Sequence, residues 1–152
     1  MKKLIPFFCF IVSVQTAFAQ KSNEIRDSLY QFYKQAQIPA RQIDLLQQIG
    51  SEYDYTGLPD SSRYICEQML KIATDTNQDS LFATAYLQIG SFFGNISDFK
   101  QALEFDFKAL AYAEKAKSRS NIWWACKDLG VHYKNLKNYN EALRYLKKSE
   151  PF

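Results

Sequence analysis

At 152 residues the chain is long enough for one ordinary domain, and a content of 47% hydrophobic and 23% charged residues excludes an intrinsically disordered one. Its formal net charge is +3, and two of those charges are Lys2 and Lys3 at the extreme N-terminus. The balance therefore points away from nucleic acid or any other polyanionic partner.

The chain opens on MKKLIPFFCFIVSVQTAFAQ, which has the three parts of a secretory signal. Lys2 and Lys3 form the positive end, Leu4 to Val14 the apolar run, and Ala17-Phe18-Ala19 a small-x-small cleavage site before Gln20. The apolar run is shorter than the roughly 20 residues of a membrane span. Residues 1–19 are expected to be a signal peptide of a protein exported to a bacterial periplasm; the alternative is an uncleaved anchor. Export means an oxidising compartment, which gives weight to Cys66 and Cys126. The repeat register described below sets them on helices that should not be neighbours, so two buried free thiols are expected and not a disulfide.

Ser22 to Ala36 carries Ile25, Leu29, Phe32, Tyr33 and Ala36 at amphipathic-helix spacing, so residues 20–38 are predicted to be a capping helix. Pro39-Ala40 breaks the pattern. A helix from Gln42 to Tyr55 follows, with Leu45, Leu46, Ile49 and Tyr53 on one face. Gly57-Leu58-Pro59-Asp60 reads as a turn, with Pro59 where an opening helix tolerates proline. The next helix presents Tyr64, Ile65, Met69, Ile72 and Ala73. Ser80 and Ser120 are predicted to cap two later helices, and Asp98-x-x-Gln101 and Asn138-x-x-Glu141 approximate capping boxes.

One period governs all of this. Gly50, Gly90 and Gly130 stand forty residues apart, and so do Tyr53, Phe93 and Tyr133, and Ser62, Ala102 and Ala142. Ile25, Ile65, Phe105 and Tyr145 keep the same interval, which aligns the first helix with the second helix of each later pair. Self-similarity of this kind marks a repeat array, here of about 39–78, 79–118 and 119–152, the last one short. A helix–turn–helix unit cannot bury its apolar face alone and must stack on neighbours.

The period suits HEAT and armadillo arrays as well as the shorter tetratricopeptide repeat. Residue identity separates them. Ile89-Gly90-x-x-Phe93 followed by Ala102 and Ala109, and Leu129-Gly130-x-x-Tyr133 followed by Ala142, resemble the tetratricopeptide pattern, including its interval of twelve from Gly to Ala. The resemblance covers residues 22–149 and suggests the long-repeat type found in bacterial sensors and regulators. It implies an all-α fold, a right-handed superhelix of stacked helix–turn–helix repeats (an α-solenoid), with the extra length at the junctions between repeats. The first repeat departs from the pattern at Pro59, Ser62 and Met69. Asp106 stands where the family has a bulky residue, and is expected to meet Lys127 or the Trp123 indole, or to face water.

Little in the chain points to catalysis. A single histidine, His132, excludes a multi-histidine metal site, and it is expected to be an exposed or partly packed helix residue. No Gly-rich phosphate loop, HExxH or CxxC is present. Asp27, Asp44, Glu52, Asp54 and Asp60 read as surface acids, and Asn95-Ile96-Ser97 as a capping turn. No enzyme activity, cofactor, metal or small-molecule substrate is expected.

In the family that the pattern resembles, the first helices line a concave groove. Carried over position by position, the groove would take Asp44, Gln47, Ser51 and Asp54 from the first repeat. The second would add Thr84, Leu87, Ser91 and Asn95, and the third Trp124, Lys127, Val131, Lys134 and Asn135. It would run from acidic to basic and aromatic, suited to an extended peptide or helix, with Trp124 as anchor and Trp123 in the core. The last helix stops near Ser149-Glu150-Pro151-Phe152 with no polar cap, so the chain is expected to be a piece of a longer array. Two functions follow: an exported, non-catalytic scaffold binding a peptide or protein, or the periplasmic sensor part of a longer signalling protein that crosses the membrane to a kinase or DNA-binding output.

Overall fold

The computed structural model describes residues 4–56 and 59–150, and their side chains from Gln20 onward apart from residues 55–59. It consists of seven helices, with no strand among the described residues. They are α1 (Leu4–Gln35), α2 (Pro39–Thr56), α3 (Pro59–Thr76), α4 (Asp79–Asn95), α5 (Phe99–Lys115), α6 (Arg119–Asn135) and α7 (Tyr139–Ser149). Each helix packs on the next, and α2, α4 and α6 also touch one another in that order. The fold is an all-α solenoid of three pairs, α2/α3, α4/α5 and α6/α7, with α1 stacked ahead of the first.

The forty-residue period has a finer structure than its glycines reveal. Asn77, Ser97, Lys117 and Lys137 all have positive φ, between 50° and 63°, and lie twenty residues apart. Each ends a helix in the left-handed region, where glycine is usual and other residues are strained. The next residue then serves two helices. The Asp98, Ser118 and Asn138 amides bond back to the carbonyls of Phe93, Ala113 and Tyr133 at 2.9 Å. Their side chains accept from the amides of Gln101, Asn121 and Glu141 at the start of the following helix. Gln78 has the same place before α4 and makes no side-chain cap. The predicted Asp98 and Asn138 caps are therefore present. The cap expected at Ser120 is made two residues upstream by Ser118, and the one expected at Ser80 is missing, since Gln78 holds that place, because the linkers are one short left-handed turn. Ile96 and Ser97 form such a turn, as expected.

Pro39 opens α2 where the sequence pattern starts the helix at Gln42, and Pro59 opens α3 as predicted. Gly57 and Leu58 of the predicted turn lie outside the described residues. One core joins Ile43, Leu46 and Ile49 of α2 to Ile65, Met69 and Ala73 of α3 and to Leu81 and Ala85 of α4. A second joins Leu87 of α4 to Ala109 and Leu110 of α5, Ala125 and Leu129 of α6, and Tyr145 of α7. The aromatic three residues after Gly90 and after Gly130 stacks on the second helix of its pair, Phe93 on Phe105 at 5.4 Å and Tyr133 on Tyr145 at 5.8 Å.

The first helix departs from its predicted face. It runs unbroken from Leu4, longer than the segment predicted at Ser22–Ala36. Ile25 and Phe32 are exposed, whereas Ile65 and Tyr145, the register partners of Ile25, are buried. Ser22 and Arg26 take the buried places instead: the Ser22 hydroxyl donates to Glu52 of α2 at 2.7 Å, and the Arg26 guanidinium lies over the Tyr53 ring at 4.9 Å. The physical reason is that, among the described residues, α1 packs on α2 alone and its other side meets no helix. Among the described residues, no helix is long and apolar enough to cross a membrane. Cys66 and Cys126 are both free and buried, as the register implied.

Candidate functional site

Where α2, α4 and α6 run side by side, they enclose an open cavity of about 240 Å³. Helix α2 supplies Gln47 and Ser51, one turn apart on one face; α4 supplies Leu87 and Ser91; α6 supplies Trp124 and Lys127. Six of the thirteen groove residues expected from sequence thus meet at one place, one pair from each first helix. Trp124 is 45% exposed and meets Trp123 edge-on at 4.6 Å. The Lys127 ammonium caps it, 4.4 Å from the Trp124 ring centre, while bonding to Asp128 at 3.4 Å. A cation held over an indole and beside a carboxylate is positioned, not free. Trp123, expected in the core, is half-buried.

The other seven fall elsewhere. Asp44 is exposed on the first turns of α2, and Lys134 and Asn135 are exposed at the end of α6. Val131 is half-buried one turn beyond Lys127. Thr84 accepts a bond from the Asn121 amide at 3.2 Å, which ties α4 to α6. Asp54 is half-buried and takes the Ser62 hydroxyl. Burial holds its carboxyl above the usual range, opposed by Ser62 and by the Asn95 amide beside it. Neither Asp54 nor Glu52 is the solvated surface acid that the sequence suggested.

Two lining residues were missed, Gln88 and Asp128. They stand forty apart, in a register row with Gln48 that precedes the Ile89-Gly90 and Leu129-Gly130 signatures by one position. Periodicity contained this signal. Gln88 is 5% exposed, and its amide nitrogen rests against Gly50, where an added Cβ would lie 3.0 Å away. Burial raises the Asp128 carboxyl, while Lys127 and His132 oppose the shift.

Asp106 and His132 correct two further expectations. Asp106 is fully buried on α5 and meets neither Lys127, Trp123 nor water. Its Oδ2 lies 2.6 Å from Nδ1 of His132 on α6, itself buried. Gly90 and Gly94 of α4 make room: a Cβ at Gly90 would overlap Asp106 Oδ1, and one at Gly94 would overlap His132 Nε2. Among the described residues, Asp106 Oδ1 has no hydrogen-bond partner. Burial is the main cause that pushes this carboxyl up to about 6; His132 opposes it and Asp128 adds to it. Among the described residues, no group of His, Cys, Asp and Glu could hold a metal ion.

No protein-family model matches this chain, and neither does any curated protein.

Proposed function

We propose that the chain is a protein-interaction module of the long tetratricopeptide-repeat type, an exported scaffold that holds an extended peptide or a segment of a partner protein in the groove across α2, α4 and α6. One observation supports this most: paired residues from three successive first helices converge on one cavity beside a half-exposed, cation-capped Trp124. Aromatic anchors of this kind dominate the energetics of interfaces. The cavity mixes amides, hydroxyls, an indole and a balanced charge pair, which suits non-covalent recognition more than bond-making chemistry. Nothing in the site argues for a membrane or a nucleic acid as partner.

The test is capture of periplasmic proteins on immobilised full-length chain, run beside Trp124→Ala. A partner retained by the parent and reduced about tenfold or more by the variant is the expected outcome, about 1.4 kcal/mol of binding energy. Equal recovery by both would remove Trp124 from the site.

A further inference from the structure

Behind one wall of the groove lies a cluster of three titratable groups, Asp106 on α5 with His132 and Asp128 on α6. Asp106 Oδ2 shares its 2.6 Å hydrogen bond with His132 Nδ1, while Oδ1, buried against Gly90, has no partner among the described residues. An unpaired oxygen of this kind is costly, and far more so on a charged carboxylate than on a neutral carboxyl. The geometry therefore favours taking up a proton. Asp128 stands one turn before His132 on α6, half-buried, and lines the cavity beside Lys127. The charged groups that act on Asp106 are His132 and Asp128, and those that act on Asp128 are Lys127 and His132. Neighbouring charges are engaged elsewhere. Helix α4, packed on both α5 and α6, turns Gly90 and Gly94 to the cluster, and its one charged residue, Asp79, pairs with Lys115. On α5 Glu104 pairs with Lys108, and on α7 Arg144 pairs with Glu141 and Lys148 with Glu114. Lys100 and Lys134 are exposed, and Asp54 of α2 takes the Ser62 hydroxyl.

We propose that Asp106, His132 and Asp128 form one proton-binding unit that acts as a pH sensor for the groove, loosening the Lys127 ammonium from the Trp124 ring when it takes up a proton. The contacts that carry the signal are continuous. Asp106 bonds to His132, Asp128 lies one turn from His132, and Lys127 bonds to Asp128 at 3.4 Å while lying 4.4 Å from the Trp124 ring centre. Groups that interact this closely bind protons as a set and not one by one. A proton on the Asp106–His132 pair removes one negative charge from behind Asp128. A proton on Asp128 itself ends its charged bond to Lys127. In either case the negative charge that holds the ammonium falls, and the cation–π contact alone is a weak tether at an exposed ring. Acid then uncovers the indole face and frees a cation at the mouth of the cavity. The device is complete within the chain and does not depend on what the groove binds.

His132 is the single histidine of the chain, and Trp123 and Trp124 are its two tryptophans, so NMR of the full chain reads the device directly. On titration from about pH 8 to about pH 4, the His132 ring signals and the Trp124 indole N–H should shift together. Their common midpoint should lie near the value of about 6 to which burial raises Asp106. Lys127→Met should leave the His132 titration in place and shrink the Trp124 shift by about threefold or more. Asp128→Asn should shrink the Trp124 shift similarly, because the ammonium has lost its carboxylate. Asp106→Asn should move the shared midpoint down by roughly one pH unit or more. A Trp124 signal that stays flat while His132 titrates would overturn the proposal. So would a Trp124 shift that survives Lys127→Met and Asp128→Asn at full size. Both of those variants leave the buried pair intact, so they decide the question even if Asp106→Asn does not fold.

Discussion

Two junctions of the solenoid solve the same geometric problem with opposite chemistry. Between α3 and α4, Cys66 and Phe92 pack in one apolar cluster. Between α5 and α6, the residues forty positions later are Asp106 and His132, a buried carboxylate and imidazole at 2.6 Å. The third instance, between α1 and α2, is Arg26 with Glu52, bridged through Ser22. The backbone register thus sets which positions meet, while the neighbours decide which chemistry is tolerated. Gly94 is the deciding neighbour for His132, since its counterpart in the first repeat is Asp54, whose side chain already takes the Ser62 hydroxyl.

A buried hydrogen bond adds little net stability but is costly to break from one side, because the other group is left unpaired. The sharpest test is therefore His132→Ala, which strands the buried Asp106 carboxyl. A loss of about 1–3 kcal/mol or more is expected from urea unfolding. Transplanting the apolar junction with the double change Asp106→Cys and His132→Phe should recover most of that loss. A double variant no better than His132→Ala would mean that the two junctions are not interchangeable.

Acidity provides the second contrast. The native Asp106 carboxyl is raised to about 6 from an ordinary value of 3.8. Between those values the native state keeps a proton that the unfolded chain has released. Its contribution to stability is therefore complete below about pH 4 and is lost as pH rises through about 6. The shift corresponds to about 3 kcal/mol. Asp106→Asn should remove that part of the pH dependence, measured as urea midpoints from pH 4 to 7. An unchanged profile would show that this carboxyl does not titrate in the window.

The smallest effects lie at the linkers, which differ in one respect. Asp98 caps α5 and Gln78 leaves α4 uncapped. Asp98→Ala should cost about 1 kcal/mol, and Gln78→Asp should gain up to a similar amount. Equal and negligible shifts in Tm would show that the shared linker geometry, and not the side-chain cap, ends and starts these helices.

Much of the architecture was legible in the sequence because a repeat prints its packing rule several times. Gly90 with Phe93 and Ala102, repeated as Gly130 with Tyr133 and Ala142, specifies helix pairs in close contact, and the structure has them. The helix ends were less legible. Asn77, Ser97, Lys117 and Lys137 share a left-handed turn without one glycine among them, so the usual stop signal is missing; Asp98 and Asn138 cap where expected, while the expectations at Ser80 and Ser120 fall two residues late. The groove was legible in part: Gln47, Ser51, Leu87, Ser91, Trp124 and Lys127 come together as the register implies, and Gln88 and Asp128 join them unannounced.

Sequence by itself determined the class, the period and the pairing of helices, because these depend on local spacing that recurs down the chain. Only the tertiary structure decided the fate of single polar side chains. Asp106 and His132 lie 26 residues apart, and their meeting depends on space that two glycines of a third helix leave open. Gln88 is buried because Gly50 of another helix lets its amide approach. Ile25 is exposed because no helix lies on its side. Burial of a polar group depends on what several elements do at once, and that is settled only when they pack.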